Sequence, residues 1–301
     1  MKLVITGATG FLGSFVTRAA LAAGHAVVGF KRRGSDPFRL ADVMTHPCLE
    51  LVDVDPDTDS IDVSFDGAQV DAVVHTATFY GRGPTTTTTY AQLIDANISL
   101  PMRTLHAAIA HGVPTFINTD SYFNKPGKTY NSLQGYSLTK KYFEDWLEHH
   151  SDRIRVVNMR LEHLYGPTDG ADKFIPTLID RIARQRVETF DLTLGNQARD
   201  FIYVTDAAAA FMLVLERSDA GATGYEYFEI GTGTIQTVKQ MAELIRQESG
   251  SPTLLRFGAI PDRIDEIIES FASPDFGVAY GFEPRVSPVE GIGNLLRTVT
   301  R

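Results

Sequence analysis

A tyrosine and a lysine four residues apart, Tyr136 and Lys140, are the pair of side chains in this sequence best suited to proton transfer. On a helix, positions i and i+4 share one face, so the phenol and the ammonium group lie on the same side. A neighbouring cation stabilises phenolate and lowers the phenol pKa, which makes tyrosine a usable acid or base near neutral pH. Of the 11 tyrosines only Tyr136 has a lysine at this distance, although a surface pair on an amphipathic helix has the same spacing.

The hydroxyl of Thr119 is a third candidate catalytic group. Thr119 follows the predicted strand 114–118, which is the strand before the helix of Tyr136. At the carboxyl edge of a sheet this hydroxyl can bond a substrate carbonyl or hydroxyl, whereas the ordinary alternative is a turn or cap threonine. The proximity of Tyr136 and Lys140 favours the catalytic interpretation.

A glycine-rich turn near the start of the chain predicts a dinucleotide site. Residues Thr6–Gly13 read Thr-Gly-Ala-Thr-Gly-Phe-Leu-Gly and follow the apolar run Lys2–Thr6. Glycines in such a strand–turn–helix segment let backbone N–H groups and the helix N-terminus approach a pyrophosphate. The residues predicted to bind the cofactor here are Gly7, Thr9, Gly10, Phe11, Leu12 and Gly13.

The end of the second predicted strand bears on the choice between NAD and NADP. An NAD-preferring site places Asp or Glu there to hold the ribose 2′-hydroxyl. This chain has Gly29-Phe-Lys-Arg-Arg33, and the next carboxylate is Asp36. Lys31 and Arg32 suit a 2′-phosphate, so NADP(H) is the expected cofactor and NAD the alternative.

Alternating apolar runs and helical patterns predict the elements that position these groups. Such alternation is typical of βαβ units and predicts an α/β fold, a Rossmann-type doubly wound parallel sheet with helices on both faces. The expected strands are 2–6, 26–31, 49–53, 72–75, 114–118 and 154–159, and the expected helices are 11–23, 91–111 and 135–149. Residues 1–161 would form the dinucleotide-binding domain, and 162–301 a smaller, interleaved α/β substrate-binding domain with helices near 174–185, 206–217, 236–249 and 288–298. The run Thr85–Thr89 predicts a mobile surface loop.

Composition excludes several classes of protein. The net charge of −9 over 301 residues argues against general nucleic-acid binding, which needs a basic face. The apolar runs have the length of strands, so no membrane span is expected. A strand that begins at Lys2 leaves no room for a secretory leader, and the single cysteine, Cys48, favours neither a disulfide nor a metal site. A cytoplasmic location is the expectation.

Together these motifs resemble the extended short-chain dehydrogenase/reductase family, the NAD-dependent epimerase/dehydratase type, over nearly the whole chain. The segments that carry the resemblance are Thr6–Gly13, Asp71-Ala-Val-Val-His-Thr-Ala77, Asn97, Thr119, Tyr136 with Lys140, Arg160-Leu-Glu-His-Leu-Tyr-Gly-Pro167, Gln197-Ala-Arg-Asp-Phe-Ile-Tyr-Val-Thr-Asp206 and Ile230-Gly-Thr-Gly233. The last three segments are similar to the nucleotide-sugar branch. The stretch Asn118–Lys125, together with Tyr136–Lys141, looks most like reductases that make CDP-linked dideoxy sugars.

The resemblance implies roles for individual residues. Tyr136 is the acid/base, Lys140 holds the cofactor ribose and tunes Tyr136, and Thr119 assists at the reacting oxygen. Further cofactor contacts are implied for Asp53, Val54, Thr76, Ala77, Thr78, Asn97 and His163, and substrate contacts for Tyr80, Asp120, Ser121, Arg199 and Arg263. Arg199 corresponds to the position that binds the substrate diphosphate, although an ion pair with Asp200 or another carboxylate is the alternative.

Departures from the family pattern reduce the number of reactions expected of this chain. His163 and Glu229 stand where the family usually has Asn. The dehydratase branch has an Asp-Glu pair where this chain has Asp120-Ser121, so a base for sugar dehydration is missing. The leading hypothesis is NADPH-dependent reduction of a 4-keto-6-deoxy nucleotide sugar, CDP- or dTDP-linked, by a homodimer. The alternatives are a 4-epimerase with tightly bound NAD and a non-catalytic NADP-binding regulatory protein.

Overall fold

The computed structural model describes residues 1–54, 60–65, 69–82, 86–125, 133–217, 221–262 and 266–299. The strands are β1 (Lys2–Thr6), β2 (Ala26–Arg32), β3 (Leu49–Val54), β4 (Ala72–His75), β5 (Thr115–Ser121), β6 (Arg155–Leu161), β7 (His163–Tyr165), β8 (Thr189–Leu192), β9 (Ala198–Tyr203), β10 (Gly224–Ile230), β11 (Ile235–Thr237), β12 (Leu254–Phe257) and β13 (Glu269–Ser270). The helices are α1 (Phe11–Ala22), α2 (Ser60–Val63), α3 (Thr87–Ile94), α4 (Leu100–Ala110), α5 (Gln134–His149), α6 (Phe174–Leu178), α7 (Val204–Glu216), α8 (Val238–Glu248), α9 (Asp275–Tyr280) and α10 (Pro288–Val299). None of the described helices is long and apolar enough to cross a membrane.

The glycine-rich turn follows the central strand β1 of a seven-stranded sheet, and Tyr136 lies in α5, which follows β5 of the same sheet. Its strand order is β10-β6-β5-β4-β1-β2-β3, and all pairings among β1 to β6 are parallel. The central strands β1 and β4 are mostly apolar and, apart from Lys2, buried, as expected for strands covered on both faces. The strand order reverses between β1 and β4, and ligands of such sheets bind beyond the carboxyl ends of strands at this point. The predicted doubly wound α/β fold is confirmed.

Two local predictions are corrected. Thr87–Thr89 belong to α3 and not to a loop, because the Thr86 hydroxyl caps the helix by accepting the Thr89 N–H at 3.1 Å. Gly83, Pro84 and Thr85 lie outside the described residues. β5 does not end at residue 118, because its ladder with β6 continues to the pair Ser121–Leu161.

One turn of π-helix, Asp95–Ser99, joins α3 to α4. A second π turn, Ile179–Arg184, continues α6. Each π turn adds a residue to a helix and often marks a functional site. The first one contains Asn97.

The chain forms two compact units, each with its own core. The first comprises Met1–Leu161 and Ala208–Phe228, and the second Glu162–Ala207 and Glu229–Arg301. The core of the first unit includes Phe30, Phe65, Phe116 and Phe143. The core of the second includes Tyr165, Phe201, Met241 and Ile292. The substrate-binding role of the second unit stays a prediction.

Candidate active site

The glycine-rich turn is packed so tightly that side chains are excluded from it. Gly7 has a φ of +67°, in the left-handed region, and its carbonyl accepts the Gly10 N–H at 2.8 Å. A Cβ on Gly13 would lie 2.1 Å from the Gly7 carbonyl oxygen. A Cβ on Gly7 would lie 2.7 Å from Cα of Ala77. Glycine at these positions therefore lets α1 and the segment after β4 close around the turn.

The N-terminus of α1 fits the pyrophosphate of a dinucleotide. Gly10 is the N-cap and has no side chain to bond the first backbone N–H groups, and the first turn carries no acidic residue. These groups and the helix dipole favour an anion. Thr9 and Leu12 are buried in the turn, and Phe11 makes an edge contact with Phe15.

The segment after β4 is fastened to the same turn. The Thr76 hydroxyl donates to the Thr6 carbonyl oxygen at 2.7 Å, and the Ala77 N–H donates to the Thr6 hydroxyl at 3.2 Å. The same Thr6 hydroxyl also forms a hydrogen bond with Nδ1 of the buried His75, at 2.7 Å. Thr76 and Ala77 thus lie against the glycine-rich turn, and their cofactor contact stays a prediction.

Asn97, expected to contact the cofactor, is buried and hydrogen-bonded to two other segments of the chain. Its amide nitrogen donates to the Phe79 carbonyl oxygen at 2.8 Å and to the Thr139 hydroxyl at 3.0 Å. Its carbonyl oxygen accepts the Phe79 N–H at 2.8 Å and the Thr78 hydroxyl at 3.1 Å. All four bonding positions of the amide are occupied. Asn97 therefore ties the segment after β4 to α5, which is a positioning role.

The end of β2 is less basic than its sequence indicates. The Lys31 ammonium forms a hydrogen-bonded ion pair with Asp53, its register partner on β3. Both residues are predicted cofactor contacts, and each offsets the charge of the other. Arg32 is exposed at the end of the strand, and Val54 is buried beside it.

Tyr136 is held rigidly between aromatic rings. Tyr80 stacks on it with ring centroids 4.7 Å apart, and Phe123 contacts it edge-on at 6.1 Å. The Tyr136 side chain is buried, and the hydroxyls of Ser121 and Thr78 face its phenol. Tyr80, predicted to bind substrate, thus packs directly on the ring of Tyr136.

Tyr136 does not have the lowered pKa expected from the lysine. Burial raises the pKa of Tyr136 well above its ordinary value, and the nearby Tyr80 and Asp120 raise it further. Hydrogen bonding from Ser121 and Thr78 acts in the opposite direction without overcoming the burial. The phenol is therefore protonated at neutral pH, in the form that donates a proton.

Lys140 is turned toward the backbone of β5. Its Nζ donates to the Thr119 carbonyl oxygen at 2.8 Å. Burial lowers the pKa of Lys140 to about 8, while the charge of Asp120 acts to raise it. The Thr119 hydroxyl itself is buried and has no hydrogen-bond partner among the described residues. Buried hydroxyls rarely remain unpaired, so Thr119 Oγ1 is suited to a ligand.

Asp120 does not point toward open space as a substrate ligand would. Its carboxylate is buried and accepts from Asn124 at 2.9 Å, Asn158 at 3.3 Å and Arg160 at 3.4 Å. Burial raises its pKa, and Lys140 and Arg160 act against that change. These bonds give Asp120 a supporting role within the protein, and its expected substrate contact stays a prediction.

The supporting network continues through residues that sequence reasoning missed. Arg160 also bonds the buried Glu144, which in turn accepts the Tyr225 hydroxyl at 2.7 Å. Burial acts to raise the pKa of Glu144, but the bond from Tyr225 and the charges of Arg160 and Lys141 hold it below its ordinary value. The only sequence signal for these contacts was charge in otherwise apolar segments, since Glu144 and Tyr225 are 81 residues apart.

The remaining predicted residues belong to the second unit. His163 on β7 is half-buried beside Glu162 and packs on Phe201 with ring centroids 5.7 Å apart. Burial lowers the pKa of His163. Glu162 acts to raise this pKa, and the charge of Arg199 acts to lower it further. Arg199 on β9 donates from Nη2 to Glu266 Oε1 at 3.3 Å, so its ion-pair partner is Glu266 and not Asp200. Arg263 lies outside the described residues.

Known proteins resemble this chain along its whole length. CDP-abequose synthase from Salmonella muenchen is 31% identical over 299 residues, covering 98% of this chain and 97% of the relative. The enzyme of the same name from Salmonella typhimurium is 32% identical over 304 residues, with the same coverage.

Solved structures share the fold at lower identity. A UDP-glucuronic acid 4-epimerase from Bacillus cereus, in complex with UDP-4-deoxy-4-fluoro-glucuronic acid and NAD, has a TM-score of 0.84 at 21% identity and covers 100% of this chain and 99% of its own. A UDP-glucose 4-epimerase from Thermotoga maritima has a TM-score of 0.84 at 20% identity with complete coverage of both chains.

The family predicted from the motifs is confirmed by a direct match. The model of the NAD dependent epimerase/dehydratase family matches residues 3–231, which include the glycine-rich turn, Thr119, Tyr136 and Lys140. The chain therefore belongs to the NAD dependent epimerase/dehydratase family and is an enzyme of the extended short-chain dehydrogenase/reductase type.

Proposed function

We propose that this enzyme reduces the 4-keto group of a 4-keto-6-deoxy nucleotide sugar, CDP- or dTDP-linked, at the expense of NADPH. The observation that carries the proposal is the buried phenol of Tyr136, whose raised pKa keeps it protonated. The hydroxyl of Thr119, which has no hydrogen-bond partner among the described residues, is the second donor. A ketone that becomes an alcohol needs one proton at its oxygen and a second donor to hold that oxygen. Tyr136 and Thr119 supply these groups.

The residues of the first unit divide the remaining work. The glycine-rich turn and the α1 N-terminus hold the pyrophosphate of the cofactor. When bound, the reduced nicotinamide supplies a hydride from its C4 carbon. Lys140 binds the cofactor ribose, and its cation stabilises the phenolate that Tyr136 leaves after giving up its proton. Tyr80 and Phe123 keep the phenol in one orientation, which limits the entropy lost in the reaction.

The segment after Thr119 argues against dehydration. Removal of a sugar proton needs a carboxylate base, and position 121 holds serine where the dehydratase branch has glutamate. Asp120 is engaged by Asn124, Asn158 and Arg160 and cannot take that place without breaking their bonds. The full-length similarity to CDP-abequose synthases supports a reductase.

The preference for NADP(H) rests on the missing acid at the end of β2 and on Arg32, which is exposed there. Because Asp53 offsets the charge of Lys31, Arg32 carries the greater part of the expected preference. We expect NADP(H) to bind more tightly than NAD(H), and replacement of Lys31 and Arg32 by neutral residues to reduce the difference.

A cofactor balance tests the reaction. Purified enzyme is mixed with NADPH and a panel of 4-keto-6-deoxy nucleotide sugars, and absorbance at the nicotinamide band is followed alongside the product. One cofactor consumed per product supports reduction. Interconversion of two C4 epimers without added cofactor, by protein that retains NAD on purification, would replace the reductase by an epimerase.

The 4-epimerase is the second candidate, and one contact favours it. The Lys31–Asp53 ion pair leaves the end of β2 less positive, which suits NAD better than two free cations would. A non-catalytic regulatory protein is the third candidate. Stoichiometric NADP binding without turnover of any sugar nucleotide would support it.

Assembly and location remain proposals. A homodimer is supported by exposed apolar side chains on α3 and α5, namely Tyr90, Ile94, Leu138 and Tyr142. Tyr90 lies close to α5, since a Cβ on Gly135 would be 3.9 Å from its ring. The cytoplasm is the proposed compartment.

A further inference from the structure

The guanidinium of Arg199 lies at one end of a small anion-binding arrangement within the second unit. Arg199 is buried on β9, and its Nη1 donates to the Ala198 carbonyl oxygen at 3.1 Å. Its Nη2 donates to Glu266 Oε1 at 3.3 Å. The backbone contact fixes one nitrogen, so the guanidinium presents the other to an anion.

Gln197 forms the other end of this arrangement. Gln197 directly precedes β9, and Arg199 is the second residue of that strand, so both lie close to the same carboxylate, that of Glu266. The Gln197 amide nitrogen donates to Glu266 Oε2 at 2.8 Å. Each oxygen of the Glu266 carboxylate therefore has its own donor.

The donor pair does not distinguish a carboxylate from a phosphate. A guanidinium and an amide N–H bond any anion that offers two oxygens at this separation. Glu266 thus occupies the position that a ligand phosphate would take on Arg199.

Of the two residues in this ion pair, Glu266 can leave more easily than Arg199. The Arg199 side chain is 6% exposed, whereas that of Glu266 is 20% exposed. A buried guanidinium without a partner is costly, but a carboxylate at the surface is solvated when it swings out. Exchange of Glu266 for another anion keeps the buried cation paired.

A further atom of the site lacks a partner. Gln197 is 5% exposed, and its Oε1 has no hydrogen bond among the described residues. A buried carbonyl oxygen of this kind needs a donor. Phosphate cannot provide one at neutral pH, but a ribose or sugar hydroxyl next to a diphosphate can.

We infer that Glu266 is the enzyme's own competitor for Arg199: a substrate diphosphate binds by displacing this carboxylate, and Glu266 thereby sets the affinity and admits only anions that outcompete it. The inference rests on the proposed function, in that Arg199 is taken as a ligand of the diphosphate. It assigns Glu266 an affinity-lowering role, opposite to that of a residue that orients Arg199 for binding.

Calorimetric titration with CDP, UDP and dTDP tests this role without an activity assay. The variants are Glu266→Gln, Arg199→Ala and, as a control of equal charge change, Glu283→Gln, which alters an exposed acid of the same unit. Glu266→Gln should tighten binding of the preferred diphosphate about five- to tenfold, the equivalent of one partly buried ion pair. Glu283→Gln should leave it unchanged, and Arg199→Ala should weaken it.

The outcomes separate the inference from the proposed function. Unchanged or weaker binding by Glu266→Gln, with Arg199→Ala still damaging, would overturn the competitor role alone. No binding of any nucleoside diphosphate by the wild type, or equal binding by Arg199→Ala, would remove Arg199 as a diphosphate ligand and the inference with it. Should the glutamine variant fail to fold, Glu266→Asp serves instead, since its shorter side chain cannot hold both donors and should also tighten binding.

Discussion

The hydroxyl of Tyr136 is the atom on which the proposed chemistry depends. Tyr136→Phe should lower kcat by about 100- to 10,000-fold, the usual contribution of a positioned general acid. NADP affinity should hardly change, because the phenylalanine ring keeps the stacking on Tyr80. Lys140→Met should reduce both quantities, since Lys140 is assigned the ribose contact as well. Steady-state kinetics and cofactor titration check both variants, and wild-type kcat in Tyr136→Phe would disprove the assignment.

Loss of the Lys140 charge with rising pH should increase the free energy of unfolding and decrease the affinity for NADP. Burial lowers its pKa from 10.5 to about 8, so the folded protein loses this proton earlier than the unfolded chain does. Between these values the unfolded state binds more protons, and the free energy of unfolding should rise with pH. NADP affinity should fall over the same range as the cation disappears. Denaturation and titration at pH 7 to 10 measure both slopes, and Lys140→Met should lack them.

Arg199 should matter to one ligand only. Arg199→Ala is expected to weaken nucleotide-sugar binding by about 1.5–3 kcal/mol, the range for hydrogen bonds to charged groups. NADP binding should stay within error of the wild type, because the predicted cofactor groups of the glycine-rich turn are unaltered. Parallel calorimetric titrations provide the comparison. Equal losses for both ligands would show that the Arg199–Glu266 pair is structural.

At the scale of elements, α1 is held against the turn by the absence of a side chain on Gly13. A methyl group there would lie 2.1 Å from the Gly7 carbonyl oxygen, so Gly13→Ala should destabilise the protein by about 1–3 kcal/mol and abolish cofactor binding. Gly293→Ala is the matched control, because among the described residues a Cβ at that helical position meets only Arg297 Nη1, at 3.8 Å. It should stabilise the protein by about 0.5–1 kcal/mol. Thermal melts with and without NADP measure both effects.

Sequence periodicity located the elements whose contacts are local or repetitive. Strand 72–75 was predicted with the bounds that β4 has, because the short run Ala-Val-Val-His lies between polar residues and is typical of a buried strand. α3 was missed at Thr87–Thr89, since threonine is a poor helix former and the cap that starts the helix is a single hydroxyl bond. The end of β5 was missed because its polar residues are held by pairing with β6 and not by their own preference.

The candidate-site residues also fall into two groups, those whose role depends on local spacing and those whose role depends on distant partners. Tyr136, Lys140 and the glycine-rich turn were found because their chemistry depends on fixed spacing within one element. The ligand contacts of Asp120 and Asn97 are predicted from the resemblance alone. In the structure the polar atoms of both side chains form hydrogen bonds with other groups of the protein. Those partners come from distant segments, and no spacing rule in the sequence predicts which segments meet.

On the scale of the whole molecule, the exposed apolar side chains of α3 and α5 define the proposed dimer surface. Leu138 is 71% exposed and extends from α5, so Leu138→Glu should convert a dimer to a monomer by burying a charge at the interface. Leu254→Glu, at a leucine that is 59% exposed on β12, should leave the mass unchanged. Light scattering after size exclusion reads the mass directly. A wild-type monomer, or a dimer that survives Leu138→Glu, would contradict this surface.

The discontinuous course of the first unit has a consequence for synthesis on the ribosome. Its sheet lacks β10, and Glu144 lacks Tyr225, until the chain has grown from Leu161 to Phe228, 67 residues further on (228 − 161). At about 5–20 residues per second this interval lasts roughly 3–13 seconds. During that time the outer edge of β6 has no neighbouring strand, and such edges pair readily with other chains. The nascent protein therefore passes through a period of several seconds in which chaperone protection matters more than it does for the finished enzyme.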